Sequence, residues 1–211
     1  KLLQELLEPD SVVAISGGST MAAVAEEMPI LPFNPTVVPA RGGVGAVVEY
    51  QANVIASVLA ERLRGTYKML HLPDGLSQDS LHMLMTCEPQ IKEISDLISR
   101  TDVLLFGIGT AMRMADQRHI ADEVRKQLVD NHAVGEALGQ YCDMDGKLIY
   151  STNNIGLSLP DVAKVPNVIA VAGGQEKASA IIGVMRACQK GILIIDEQAA
   201  EGMRQLLQIS A

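Results

Sequence analysis

Four glycine-rich loops follow apolar segments of this chain, and such loops can bind anions. A glycine-rich loop that leads into a helix offers backbone amides and the positive end of the helix dipole to a negative group. The loops are SGGST at 16–20, ARGGVG at 40–45, FGIGT at 106–110 and AGGQEKAS at 172–179. They predict a site for a phosphorylated ligand. Its candidate loop residues are Gly17, Gly18, Ser19, Thr20, Gly107 and Gly109.

The first loop also allows a second interpretation. Serine or threonine at the start of a helix often caps it, by accepting a hydrogen bond from a backbone amide of the first turn. Ser19 or Thr20 could serve only such a tight strand-to-helix turn. The sequence by itself leaves the phosphate loop and the capped turn open.

Four positively charged residues accompany these loops, namely Arg41, Arg113, Arg118 and Lys177. Taken singly, each is explained by a solvated surface charge. Lys177, however, lies in the first turn of a predicted helix, where a cation opposes the helix dipole unless an anion joins it. Arginine offers phosphate a bidentate contact and lysine a point charge, so the four together predict two phosphate subsites.

The other polar residues give weaker signals. Glu136, set among small apolar residues, is either an acceptor for sugar hydroxyls or an exposed acid, and Glu49 fits an exposed acid. The four histidines and three cysteines show no metal-binding spacing, so no metal site is predicted. The segment GIGTAM lacks the third glycine of a dinucleotide fingerprint, and no cofactor is predicted.

Composition excludes several classes of protein. The 211 residues carry a formal net charge of −8, and only 3% of them are aromatic. This balance argues against a broad basic face for nucleic acid or an anionic membrane, and against an aromatic platform for single strands. No apolar run approaches the roughly 20 residues of a membrane span, and no signal peptide is visible. Isolated cysteines fit a reducing, cytoplasmic setting.

Short apolar segments alternate with helical patterns, which predicts an α/β fold: a Rossmann-like, doubly wound, mostly parallel sheet with helices on both faces. The predicted strands cover 11–16, 35–40, 67–73, 102–109, 167–174 and 192–196. The predicted helices cover 20–28, 48–63, 78–85, 88–99, 118–129, 175–188 and 197–207. Segment 133–153 predicts an inserted β-hairpin that turns at DMDG. We expect residues 1–211 to form one domain.

The motifs VVAISGGSTMAAVAEEM, VVPARGGVG with YQAN, FGIGTAMRMADQR and NVIAVAGGQEKASAIIGV occur in this order. Together they resemble the effector-binding domain of the SorC family of bacterial sugar-responsive regulators, over essentially the whole chain. The resemblance implies a sensor domain, related to sugar-phosphate deaminases and isomerases, in a dimer or tetramer. It also implies a preceding helix-turn-helix DNA-binding domain that this chain lacks. The implied effector is fructose-1,6-bisphosphate, which weakens operator binding.

The resemblance also implies roles for the candidate residues. The loop of Gly17 to Thr20 would hold one phosphate with Lys177 beside it, and Arg41 and Arg118 would hold the other. Arg113 competes with Arg118 for that role, and Arg118 is preferred. Two further roles are implied: Gln51 as a nearby polar contact and Glu136 as the residue that binds sugar hydroxyls.

An enzyme of the same fold, a sugar-phosphate isomerase or deaminase, is the alternative. Such an enzyme needs a positioned base near the sugar carbons. The deaminases carry an acid and a histidine in a GxDGH pattern after the third loop, where this chain has GIGTAMR. Asp74 of the PDG segment is a possible acid, although aspartate there is typical of a turn. We therefore expect a sensor and no catalytic residues.

Overall fold

The structure is a computed structural model that describes residues 1–43, 47–73 and 75–208. Helices and strands alternate along most of it, as the sequence predicts. The strands are β1 (Val12–Ile15), β2 (Thr36–Pro39), β3 (Thr66–Tyr67), β4 (Val103–Gly107), β5 (Gly109–Thr110), β6 (Gly135–Ala137), β7 (Gln140–Cys142), β8 (Leu148–Ser151), β9 (Asn167–Ala172) and β10 (Ile192–Ile195). The helices are α1 (Leu2–Leu6), α2 (Ser19–Glu26), α3 (Ala52–Arg62), α4 (Gln78–Cys87), α5 (Pro89–Ser99), α6 (Ala111–Gln117), α7 (Asp122–Asp130), α8 (Leu159–Val162), α9 (Ala178–Cys188) and α10 (Glu197–Leu206). Two 3₁₀ turns, Val48–Tyr50 and Gln175–Lys177, precede α3 and α9.

Two sheets organise these strands. A six-stranded parallel sheet has the order β10-β9-β4-β1-β2-β3, and a four-stranded antiparallel sheet has the order β5-β6-β7-β8. Strands β1 and β4 are continuous apolar runs and are almost wholly buried, as expected for a parallel sheet covered on both faces. The predicted α/β class is confirmed.

The chain divides into two compact units. The first consists of Lys1–Phe106, Thr152–Leu157 and Lys164–Val168. In it β1 pairs in parallel with β2 and with β4, so that Val13 lies opposite both Val37 and Val103. Helix α3 packs on β1, β2 and α2, and its buried apolar residues include Ile55 and Leu59.

The second unit consists of Gly107–Ser151, Ser158–Ala163 and Ile169–Ala211. Its antiparallel sheet packs on α9 at β6 and β7. The approach is close at Gly135, where a Cβ would lie 2.8 Å from the Ala180 carbonyl oxygen. Tyr141 and Leu128 are fully buried in the core between this sheet and its helices.

The inserted hairpin is confirmed and is larger than predicted. Segment 133–153 contains three strands, β6, β7 and β8, and its DMDG turn has Gly146 at a φ of 84°. A second turn, at Leu138 and Gly139, joins β6 to β7. Strand β5 then pairs with β6, which extends the insertion to a four-stranded sheet.

The predicted strand at 67–73 is wrong beyond Tyr67, because a side chain replaces the strand ladder there. The Leu70 amide donates to Asn53 Oδ1 at 2.9 Å, and Asn53 Nδ2 donates to the Leu70 carbonyl at 3.1 Å. Asn53 is buried on α3, so both of its hydrogen bonds are shielded from water. The Lys68 amide still donates to the Val37 carbonyl of β2 at 3.0 Å, but at Leu70 the chain is held by a helix and not by a neighbouring strand.

The predicted helix at 118–129 is also wrong at its start. Helix α6 occupies 111–117, and α7 begins only at Asp122. His119 has a φ of 49°, in the left-handed region that interrupts a helix. Arg118 is therefore the C-cap of α6. Its positive charge interacts favourably with the negative end of the helix dipole there. None of the described helices has the length and apolar character needed to cross a membrane.

Candidate functional site

The first glycine loop connects β1 to α2 and depends on both of its glycines. Gly18 has a φ of 111° and a ψ of 157°, a conformation that side chains rarely adopt. Its amide donates to the Tyr50 carbonyl oxygen at 2.8 Å. A Cβ on Gly17 would lie 2.7 Å from that same oxygen, so only glycine allows this approach. Gln51, which follows Tyr50 in the chain, is the N-cap of α3.

The capped-turn interpretation of this loop is wrong. Helix α2 begins at Ser19 with Gly18 as its N-cap, and no side chain of the described residues caps it. Ser19 is exposed and Thr20 is half-buried. The first turn of α2 therefore combines backbone amides with two adjacent hydroxyls, which is a suitable arrangement for a phosphate group.

Arg41 follows β2 and is buried, with 7% of its surface exposed. It forms an isolated antiparallel bridge with Gly156, and its Nη2 donates to Thr152 Oγ1 at 2.9 Å. The Gly42 amide donates to the Ile155 carbonyl at 2.9 Å, which continues the contact. Segment 152–157 thus holds this arginine in place.

Segment 152–157 was missed by the sequence analysis. A signal for it exists, since the polar run Thr152 to Asn154 lies at the end of the predicted hairpin and Gly156 follows two residues later. The end of the second glycine loop, from Val44, and Asp74 lie outside the described residues. Glu49 is exposed on the 3₁₀ turn before α3, as expected.

The second unit brings Arg118 and Glu136 together. Glu136 lies on β6 with 3% of its surface exposed, and Arg118 Nη2 donates to its Oε1 at 3.2 Å. The same oxygen accepts a hydrogen bond from the Gly139 amide at 2.6 Å. Gly109, on β5, lies opposite Glu136 in the antiparallel register. A buried carboxylate therefore orients the arginine.

The fourth glycine loop follows β9 and is held by a carboxylate. Gly174 has a φ of 98°, and its amide donates to Asp196 Oδ2 at 2.9 Å and Oδ1 at 3.1 Å. Asp196 also caps α10, since its Oδ1 accepts from the Ala199 amide at 2.8 Å. The hydrogen bonds from Ala199 and Gly174 hold the pKa of Asp196 below its usual value.

Asp196 was also missed by the sequence analysis. An aspartate between a predicted strand and a predicted helix is a common N-cap, so its role at α10 could have been found. Its second contact, with Gly174, could not, because 22 residues separate the two.

Lys177 lies at the start of α9 as its N-cap, after one 3₁₀ turn. Partial burial lowers its pKa, and the nearby positive charge of Arg113 lowers it further, while Glu176 and Asp196 act in the opposite direction. Arg113 is exposed on α6. Two cations that repel each other at a helix start favour an anion there.

The candidate residues thus fall into four local groups. In the first unit these are the loop of Gly17 to Thr20 beside Gln51, and Arg41 with segment 152–157. In the second unit these are Arg118 with Glu136 and Gly109, and Lys177 with Arg113 and Asp196. Gly107 ends β4 and is half-buried.

A family model described as a sugar-binding domain matches residues 1–205 of this chain. The chain belongs to this sugar-binding domain family, that of the SorC regulators. Two curated relatives, both named central glycolytic genes regulator, are 40% identical to it. The protein from Bacillus subtilis aligns over 90% of this chain, and that from Priestia megaterium over 94%. These matches cover 56% and 58% of the two relatives, so the chain spans just over half their length.

Two solved structures share the fold of this chain. A SorC family transcriptional regulator from Enterococcus faecalis is 38% identical and superposes with a TM-score of 0.87, over 96% of this chain and 83% of that one. The full-length sorbitol operon regulator from Klebsiella pneumoniae superposes with a TM-score of 0.84, over 96% of this chain and 67% of its own. At 23% identity, the latter shows a common fold alone.

Proposed function

We propose that this chain is the effector-binding domain of a bacterial transcriptional repressor of glycolytic genes. In this proposal it binds a phosphorylated sugar, fructose-1,6-bisphosphate, and does not convert it. The observation that carries the proposal is the glycine loop before α2, where Gly18 is the N-cap and no side chain in the described part of the chain caps the first turn. Backbone amides at such a helix start suit the phosphate group of a sugar phosphate. The 40% identity to regulators named for central glycolytic genes supports the choice of ligand.

The proposed roles follow the local groups of the site. The loop of Gly17 to Thr20 and Lys177 bind phosphate through amides, hydroxyls and an ammonium group. Arg41 and Arg118 bind phosphate through guanidinium groups, each already oriented by an oxygen acceptor, Thr152 Oγ1 or Glu136 Oε1. Pre-oriented arginines lose less side-chain entropy when a ligand binds.

The sugar itself is assigned to two further residues. Gln51 is half-buried beside the first loop and supplies a polar contact. Glu136 is buried, and its carboxylate accepts hydrogen bonds, so it suits the hydroxyl groups of a sugar as donors. Operator DNA is bound through a separate helix-turn-helix domain, and the domain acts in a dimer or tetramer whose subunit contacts change with the effector.

A binding and turnover assay tests the proposal. The purified chain is heated with fructose-1,6-bisphosphate, fructose-6-phosphate, glucosamine-6-phosphate or ribose-5-phosphate, while phosphorus and carbon NMR follow each sugar. We expect the bisphosphate to raise the melting temperature most, because binding to the native state alone stabilises it by about 2.7 kcal/mol at a hundredfold excess over Kd. No sugar should change. Conversion of any of them would show an enzyme and contradict the proposal.

Matched variants test the phosphate sites. Thr20→Glu adds a negative charge to the proposed phosphate loop and should weaken bisphosphate binding by about a hundredfold, whereas Thr20→Ser should bind normally. Arg41→Lys keeps the charge but loses the bidentate contact, and about a tenfold loss is expected. Lys126→Ala, an exposed lysine on α7, is the control. Unchanged affinity in both Thr20→Glu and Arg41→Lys would contradict the two-site model.

A further inference from the structure

Strand β10 ends the six-stranded sheet, with β9 on one side of it. An edge strand presents backbone N–H and C=O groups that can pair with another chain. The sequence of β10 is ILII, and Ile192 and Ile194 are each 43% exposed. The strand contains neither a charged residue nor a proline, which are two of the features that protect such an edge.

The other end of the same sheet order is protected in the usual way. Strand β3 is only two residues long, and Lys68 follows it directly. Lys68 forms an exposed ion pair with Glu93 at 3.0 Å. A short strand with an adjacent charge discourages pairing with another chain. A charged residue, Asp196, also follows β10 directly, so the two ends differ in length and residue type: β10 has four apolar residues, whereas β3 has only Thr66 and Tyr67.

The charges on either side of β10 specify the partner. Lys190 lies before the strand, and Asp196 and Glu197 follow it. A second copy paired in antiparallel orientation brings the basic end of one strand beside the acidic end of the other. Parallel pairing would place like charges together. Antiparallel pairing of identical strands also closes about a two-fold axis, so it gives a dimer and not a fibre.

We propose that β10 is the contact surface for a second copy of this chain, with the two β10 strands antiparallel. With Leu193 opposite the partner's Leu193, the exposed Ile192 faces the partner's Ile194. Lys190 then faces the partner's Asp196, so apolar and charged pairs both match across the axis. Residues 192–195 are not among the proposed phosphate-binding residues, so the dimer is tested in the absence of effector.

Sedimentation equilibrium of the chain tests this surface. We expect a reversible dimer, and Ile194→Lys should raise its dissociation constant about a hundredfold, because the symmetric contact contains the change twice at about tenfold each. Val129→Lys makes the same change at an exposed residue of α7 and should leave the constant unaltered. A wild-type chain that stays monomeric up to about 100 µM would overturn the proposal. So would unaltered dimers of Ile192→Lys and Ile194→Lys.

A cross-linking experiment covers the case in which the lysine variants fail to fold. Cys142 and Cys188 are buried, so replacing the exposed Cys87 by serine leaves a chain suited to single added cysteines. A short bismaleimide should join two chains of Leu193→Cys and should not join two chains of Val129→Cys. If no single cysteine at positions 192 to 195 gives a covalent dimer, the proposal is wrong.

Discussion

The two glycine loops that precede α2 and α9 have the same backbone construction and different anchors. In each, a Cβ on the first glycine would lie 2.7 Å from an acceptor oxygen, Tyr50 O for Gly17 and Asp196 Oδ2 for Gly173. In each, the second glycine has a positive φ, 111° at Gly18 and 98° at Gly174. The amide of that second glycine donates to the same neighbouring residue.

The anchors differ in freedom and in charge. Tyr50 offers a backbone carbonyl that cannot turn away and does not titrate. Asp196 offers an exposed carboxylate, which can rotate and which binds a proton in acid. The comparison teaches that one loop shape is obtained in two ways, and that only the second loop should respond to side-chain substitution or to pH.

Alanine at the first glycine of each loop tests how far the anchoring oxygen can move, and it has the largest expected effect. Gly17→Ala should lower the free energy of unfolding by about 3 kcal/mol, because a backbone carbonyl must shift to admit the methyl group. Gly173→Ala should cost about 1 kcal/mol, since the Asp196 side chain can move. Urea denaturation measures both. Equal losses would show that the two anchors are equally rigid and would break the comparison.

Alanine at the second glycine of each loop tests the backbone conformation that the two loops share. Gly18→Ala and Gly174→Ala should each cost about 2 kcal/mol, because both place a side chain at a positive φ. The same urea titrations apply, with Ala23→Gly on α2 as a reference for an ordinary glycine change. A loss at one position only would mean that the two loops do not share the same strain.

Acid should weaken the second anchor and leave the first unchanged. The pKa of Asp196 is lowered on folding, so its stabilising contribution is present above pH 4 and is lost as the pH falls through the lowered value. Asp196→Asn should therefore lie closer to the wild type in melting temperature at pH 2 than at pH 6. We expect the gap between the two melting temperatures to be about 2 °C larger at pH 6 than at pH 2, a small change because the carboxylate is exposed. Asp130→Asn, at the end of α7, is the control, and the same pH dependence in both variants would contradict the prediction.

The smallest effect is local and spectroscopic. Protonation of Asp196 removes the charge that the Gly174 amide contacts, so the proton resonance of that amide should move between pH 5 and pH 2. The Gly18 amide donates to a neutral carbonyl and should not move over this range. NMR titration measures both resonances in one sample. Parallel shifts of the two amides would mean that the loops are not anchored differently.

Local sequence was enough to name most of the candidate residues, whose binding role stays a prediction. Gly17, Gly18 and Lys177 are recognisable because a glycine pair between an apolar strand and a helix is a local pattern. Arg41 was found for the same reason, beside the second loop. The contacts that hold these residues could not be predicted, because they come from distant segments: Thr152 for Arg41 and Asp196 for Gly174.

Some predicted boundaries of strands and helices were wrong for a related reason. Strand β3 is shorter than predicted because the buried Asn53 side chain forms hydrogen bonds with the amide and the carbonyl of Leu70. A single polar residue within a helical pattern does not predict these hydrogen bonds. Arg118 and Glu136 were both named as site residues, yet their ion pair became evident only when the antiparallel sheet was built.

The sequence by itself determined the α/β class, the glycine loops and the family, because hydrophobic period and loop composition are local and the motifs occur in order. Tertiary structure alone decided which acceptor anchors each loop, which carboxylate orients Arg118 and which strand ends the sheet with an open apolar edge. Each of these depends on contacts between residues far apart in the chain, and residue type does not specify such contacts until packing brings the segments together.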